Sequence, residues 1–172
     1  MSRTRIALVG ALVAALAAVS AVSAVAAPPS SDSQNQTVKF TNRAAVQLSL
    51  DTPTVDFGAV DPLTQYSASG GNANVKANAA WTLTMSAPTN FTESGTGTNT
   101  IPIGRLSLSA GGGAYNAVVA APSTNAVATG SQTSGAGVNT SLAYHLQLQF
   151  GDAPNTGSQN YQAVLQYTAT TP

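Results

Sequence analysis

Two long runs in this chain alternate between apolar and polar residues. In residues 37–50, TVKFTNRAAVQLSL, the even positions Val38, Phe40, Ala44, Val46, Leu48 and Leu50 are apolar, with Asn42 the exception. In residues 74–86, NVKANAAWTLTMS, one side carries Val75, Ala77, Ala79, Trp81, Leu83 and Met85. The other carries Asn74, Lys76, Asn78, Thr82, Thr84 and Ser86. A period of two sends successive side chains to opposite faces of a strand, and no helix can segregate such a pattern. Shorter runs of the same kind occupy 54–60, 104–110, 114–120, 142–150 and 161–170. Between them lie segments rich in Gly, Pro, Asn and Ser at 61–72, 92–99, 109–116 and 151–160, residues that accept positive φ or cap their own backbone. No amphipathic helical pattern, internal repeat or second domain interrupts the series. The expectation is an all-β fold: a single-domain antiparallel β-sandwich, immunoglobulin-like, with about seven or eight strands. Residues 121–141 read as a long loop, or as a loop holding one short strand near Val127.

Trp81 is the only tryptophan, central on an apolar strand face with Val, Ala, Leu and Met beside it. Such a ring most often anchors the core between two sheets. The expected core is Trp81, Leu83, Met85, Phe57, Leu146, Leu148, Phe150, Leu165 and Tyr167.

The N-terminus reads as a secretory signal peptide over residues 1–26. Arg3 and Arg5 form its positive region, a stretch of small apolar residues follows, and Ala24-Val25-Ala26 supplies an A-x-A cleavage site. Cleavage is expected after Ala26, with Ala27 the other choice, leaving no stable membrane anchor and about 146 mature residues. The layout is then a flexible segment at 27–36 and the β-sandwich domain at 37–172. Export permits disulfides, yet the chain has no cysteine, so stability rests on core packing and hydrogen-bond ladders. Once the signal is removed, four cations (Lys39, Arg43, Lys76, Arg105) face six acidic residues, a formal charge of −2. Four scattered cations cannot follow a phosphate backbone, so no nucleic-acid partner is expected.

Catalytic patterns are scarce. The single histidine, His145, lies between Tyr144 and Leu146 with Gln147 and Gln149 on its own side, the position of a solvated residue on a polar strand face. There is no G-x-S-x-G elbow, no histidine pair for zinc and no cysteine nucleophile. The expectation is no enzyme, no catalytic residue, no metal site and no cofactor. Asp51, Asp56 and Asp61 recur at intervals of five. A calcium loop needs its oxygen ligands about two residues apart, so these read as turn and cap aspartates. APNTG at 153–157 has the length of a wall-sorting signal, but a strand pattern follows it, and a hairpin turn is expected there. Three N-x-[ST] matches, at Asn35, Asn90 and Asn139, carry meaning only in a host that glycosylates them.

Two stretches together carry a family resemblance. WTL at 81–83 continues as TMSAPTNF, and the chain closes with YQAVLQYTATTP. This resembles the paired signatures of the WxL domains of bacterial cell-surface proteins. PTVDFGAVDP (53–62) is similar to an early strand of those domains, and to strands in spore-coat-U-like secreted pilin-type proteins. The motif positions are Trp81, Leu83, Tyr161, Tyr167 and Pro172, with Tyr167-Thr168-Ala169 standing where a second W-x-L falls in the family. The resemblance implies an extracytoplasmic protein held non-covalently at the cell wall. Its expected partners are a cell-wall polymer, other surface proteins or further copies of itself.

A strand of fourteen residues (37–50) would span about 46 Å at ~3.3 Å each, far beyond the usual length. It could leave its own domain to complete a neighbour's sheet, or bend between the two sheets of its own sandwich. The leading expectation is a non-catalytic surface or wall-associated structural or adhesion protein. The alternative is a pilin-like or coat subunit that polymerises by N-terminal donor-strand exchange.

Overall fold

The run at 74–86 forms two strands rather than one, and the break between them creates the two layers of the fold. The computed structural model describes residues 34, 36–95, 97–156 and 159–172. The expected signal peptide with Ala26 and Ala27, and most of 27–36, lie outside the described residues. The chain divides into Met1–Phe40 and Thr41–Pro172, and every strand of the described residues lies in the second unit.

That unit is all-β and sandwich-like, with eleven strand segments and one 3-10 turn, Ile103–Arg105, among the described residues. Strands β1 (Val46–Leu50), β2 (Gln65–Ala77), β9 (Val138–Gln147), β6 (Leu106–Ala110) and β7 (Asn116–Ala117) form a five-stranded sheet in that order. Strands β11 (Gln166–Thr170), β3 (Trp81–Ser86) and β8 (Asn125–Gly130) form a second sheet, with β3 central. A third, small sheet orders β10 (Tyr161–Gln162), β4 (Phe91–Glu93) and β5 (Thr100–Ile101). All strand pairings are antiparallel. The expected seven or eight strands become eleven among the described residues because the 74–86 and 161–170 runs each divide in two and β4 and β5 form where no strand was expected. Residues 114–120 supply only β7, and 161–170 divides into β10 and β11 in different sheets. Residues 54–60 form no strand, yet Val55, Phe57 and Val60 still pack against the core.

Apolar faces of the two larger sheets close on one cluster. Ala73, Val75 and Ala77 of β2, Leu106 and Leu108 of β6, and Leu142, Tyr144 and Leu146 of β9 meet Trp81, Leu83 and Met85 of β3. Leu83 and Met85 are fully buried, and each such side chain contributes about 1.5–3 kcal/mol relative to exposure. The Tyr144 and Tyr167 hydroxyls hydrogen-bond to each other, joining β9 to β11 across the sandwich. Burial raises the pKa of both phenols, and for Tyr167 the bond to Tyr144 adds to it. One expected core member is not there: Phe150 is 81% exposed. Strand β9 ends at Gln147, and residues 148–151 leave the sheet, where the Asp152 amide closes a turn onto the Gln149 carbonyl. Alternation past the end of the ladder buries nothing.

Strand β2 is the longest element, yet its first half falls in the segment 61–72 expected to be a turn. A β-bulge explains the difference. Ser69 faces Ala143 and Asn72 faces Ser141, so β2 carries one extra residue there. The bulge inverts the phase: Tyr66, Ala68 and Gly70 face inward before it, and Ala73, Val75 and Ala77 after it. A β-carbon on Gly70 would come within 2.3 Å of the Tyr144 ring, and Gly71 adopts φ +68. The SASGGN stretch is therefore strand interior, with glycines required by a ring and a bulge rather than by a hairpin.

Residues 121–141 contain two strand portions, β8 and the start of β9. The short strand expected near Val127 is present, centred on that residue. APNTG is not a hairpin turn. The strands flanking it, β9 and β10, belong to different sheets and do not pair; its last residue, Gly157, lies outside the described residues.

Candidate functional site

Of the five motif positions, three come together. Trp81 and Leu83 point into the core from β3, and Tyr167 on β11 lies opposite Met85 in the same sheet. Trp81 is 3% exposed and pairs across strands with Gly130. A β-carbon on Gly130 would meet the indole at 2.6 Å, so the ring lies directly over that backbone. Tyr161 sits apart in the small sheet, its hydroxyl donating to the Ala153 carbonyl at 3.0 Å. Pro172 is exposed beyond the last strand. The W-x-L side chains thus face the protein's own interior.

The described carboxylates hold loops. Asp51 accepts from the Asn72 amide at 2.6 Å and the Asn72 side chain at 2.8 Å, stapling the bulge to the end of β1. The Asn72 amide is the main reason that its pKa lies below the usual value. Asp56 accepts from the Gly58 amide at 2.8 Å, and Asp61 accepts from the Tyr66 hydroxyl at 3.2 Å. Each of the three closes a local or neighbouring-strand contact, and their oxygens do not converge. Among the described residues, no group of three or more His, Asp or Glu side chains could hold a metal ion. No described helix is long and apolar enough to cross a membrane.

Two further acidic residues, Glu93 and Asp152, meet partners distant in sequence. Glu93 of β4 is 5% exposed and accepts from the Thr156 hydroxyl at 2.6 Å and from the Thr156 amide. The Thr156 hydroxyl, followed by its amide, holds the Glu93 carboxyl below its ordinary value. Asp152 forms a bidentate pair with Arg105, at 2.9 and 3.1 Å, and accepts from the Gln149 amide at 2.8 Å. The Arg105 hydrogen bond is the main cause of its lowered pKa. Glu93 and Asp152 each clasp the segment between β9 and β10. Nothing in the local sequence announces these partners, which are 63 and 47 residues away.

The outer face of the five-stranded sheet holds the most organised polar surface. His145 of β9 lies between Ser67 of β2 and Ser107 of β6 in the ladder. It is half-buried rather than freely solvated, because the Tyr115 ring stacks on it with centroids 3.4 Å apart and planes 9° apart. Gln65 Nε2 donates to His145 Nδ1, and Gln147 Nε2 donates to the Leu63 carbonyl at 3.1 Å. These groups, with Gln149 and Arg105, line a shallow groove of about 300 Å³. His145 fell on the expected face, but its aromatic partner comes from a glycine-rich loop whose course the local pattern does not encode.

No family model matches the chain, and no curated protein sequence does.

Proposed function

We propose that this chain is an exported, non-catalytic protein of the cell surface or cell wall, with a structural or adhesive role. The observation that carries this reading is the use made of its few ionisable groups. Asp51, Asp56, Asp61, Glu93 and Asp152 all accept hydrogen bonds that pin a loop, a bulge or a strand connection. Acid–base chemistry needs such groups free to reach a substrate and to change protonation; here they are committed to shape. The signal-like N-terminus supports export, and the likeness of WTL and the C-terminal strand to WxL domains supports wall association. In this reading the W-x-L residues specify the sandwich, and contact is made by the polar outer faces. The test is co-sedimentation of the purified mature protein with insoluble peptidoglycan, with bovine serum albumin as control. Recovery in the pellet supports the reading, and recovery wholly in the supernatant refutes wall binding.

A second reading, self-assembly through an N-terminal donor strand, is favoured by one specific feature. Val38 and Phe40 keep the period-two pattern, yet are 79% and 87% exposed. Light scattering on residues 27–172, beside the same chain lacking 27–43, tests it. Filaments that vanish on truncation support polymerisation, and two monodisperse monomers sink it.

A further inference from the structure

We infer that the groove on the outer face of the five-stranded sheet, under Tyr115 and His145, binds a neutral saccharide. The inference deepens the wall-association reading by naming the ligand class, and rests on it for biological meaning but not for its chemistry. Tyr115 leaves the loop between β6 and β7 and lies flat over His145, remaining 40% exposed. His145 is in turn held from β2 by Gln65. The outer ring is therefore fixed by a stack and a hydrogen bond beneath it, and little side-chain freedom is left to lose when a ligand arrives.

The rest of the lining selects what that ligand is. Gln65, Gln147 and Gln149 present amides, each with donors and an acceptor, and Ser107 adds a hydroxyl. The one permanent charge in the lining, Arg105, is neutralised by its bidentate bond to Asp152. A phosphate or carboxylate ligand would find no unpaired cation, and an apolar ligand would strip water from several amides with nothing in return. A pyranose fits both demands. Its C–H face packs on an aromatic ring, and its equatorial hydroxyls, at once donors and acceptors, meet the amides at the ring's edge. The shallow groove of about 300 Å³ suits one or two sugar units of a strand lying across the sheet.

The test is a two-dimensional NMR titration of the purified protein with cellotetraose and, separately, chitotetraose, two neutral linear glycans that differ in the acetamido group. The expected result is a set of amide shifts confined to the groove, around Gln65 of β2, residues 104–107, the 111–116 loop and residues 145–149, with a Kd on the order of 1 mM or tighter for at least one sugar. Tyr115→Ala should weaken binding roughly tenfold, and the double change Gln147→Ala with Gln149→Ala should weaken it severalfold. Far-UV circular dichroism should be unchanged, since all three side chains are on the surface. No shifts with either sugar at about 10 mM, or binding that survives Tyr115→Ala undiminished, overturns the inference. The two readings fail separately. Sedimentation with peptidoglycan that persists in Tyr115→Ala leaves wall association standing and removes this site. Tetramer binding by a protein that ignores peptidoglycan does the reverse.

Discussion

Residues 37–50 and 74–86 alternate almost equally well, and the structure treats them in opposite ways. Every apolar residue of the second run from Trp81 to Met85 is buried. In the first run only Val46–Leu50 is strand, while Val38 and Phe40 face solvent. The difference lies in the neighbours. β2 lies between β1 and β9, and β3 between β11 and β8, so both halves of the second run are central strands. β1 pairs with β2 only from Val46 opposite Ala77 to Leu50 opposite Ala73. Beyond Ala77 the chain crosses to the other sheet, and residues upstream of Val46 have no β2 left to pair with. Alternation states which face a residue takes, but only a partner strand decides whether that face is covered.

Substitutions can press on this contrast, and the largest effect should come from the covered run. Trp81→Ala should lose about 4 kcal/mol and Leu83→Ala about 3 kcal/mol by urea denaturation, because both leave a void beneath two sheets. Overpacking tests the same face from the opposite strand. Gly130→Val drives a side chain into the indole and should lose about 2 kcal/mol. At the crossing itself, Asn78 accepts from the Ala45 amide at 2.7 Å and donates to the Arg43 carbonyl at 2.7 Å. Asn78→Ala should therefore lose about 1–2 kcal/mol and speed hydrogen exchange at Ala45 without touching β3. A normal exchange rate there would remove the crossing as the point where the first run loses its order.

Acid should separate the small sheet from the sandwich. The Glu93 carboxyl is held below its ordinary value of 4.5 by Thr156, so the folded state prefers the charged form. Its contribution is then fully present above that value and is lost as pH falls through the lower, folded one. Thermal melts from pH 6 downward should show a steeper loss of stability for the native chain than for Glu93→Gln. Identical slopes would place the acid sensitivity elsewhere. The smallest effect belongs to the uncovered run. Phe40→Ser should change stability by less than about 0.5 kcal/mol, and a larger loss would mean that this ring is packed after all.

The fold class was legible because alternation survives wherever strands are regular. Trp81, Leu83 and Met85 could be placed in the core from spacing alone. Three kinds of feature were not legible, each for a physical reason. The bulge at Gly70–Gly71 inverts the phase of β2, so two half-strands in opposite phase looked like a turn. The switch of sheets at 78–80 leaves alternation intact, so two strands looked like one. Phe150 continues the pattern past the point where β9 loses its partners. The polar surface was harder still. His145 was seen, but Tyr115 reaches it through a loop, and Glu93 and Asp152 meet partners far away in sequence. Turn aspartates such as Asp56, which bond within two residues, were readable because their chemistry is local.

The buried tryptophan has an optical consequence. Its indole N–H, under the Gly130 backbone, meets no acceptor among the described residues, and it is the only indole in the chain. Its indole fluorescence therefore comes from one apolar site, at short wavelength, with no second tryptophan to confuse it. Events on the outer sheet face leave that colour unchanged, and a shift to the red marks the moment the two layers part.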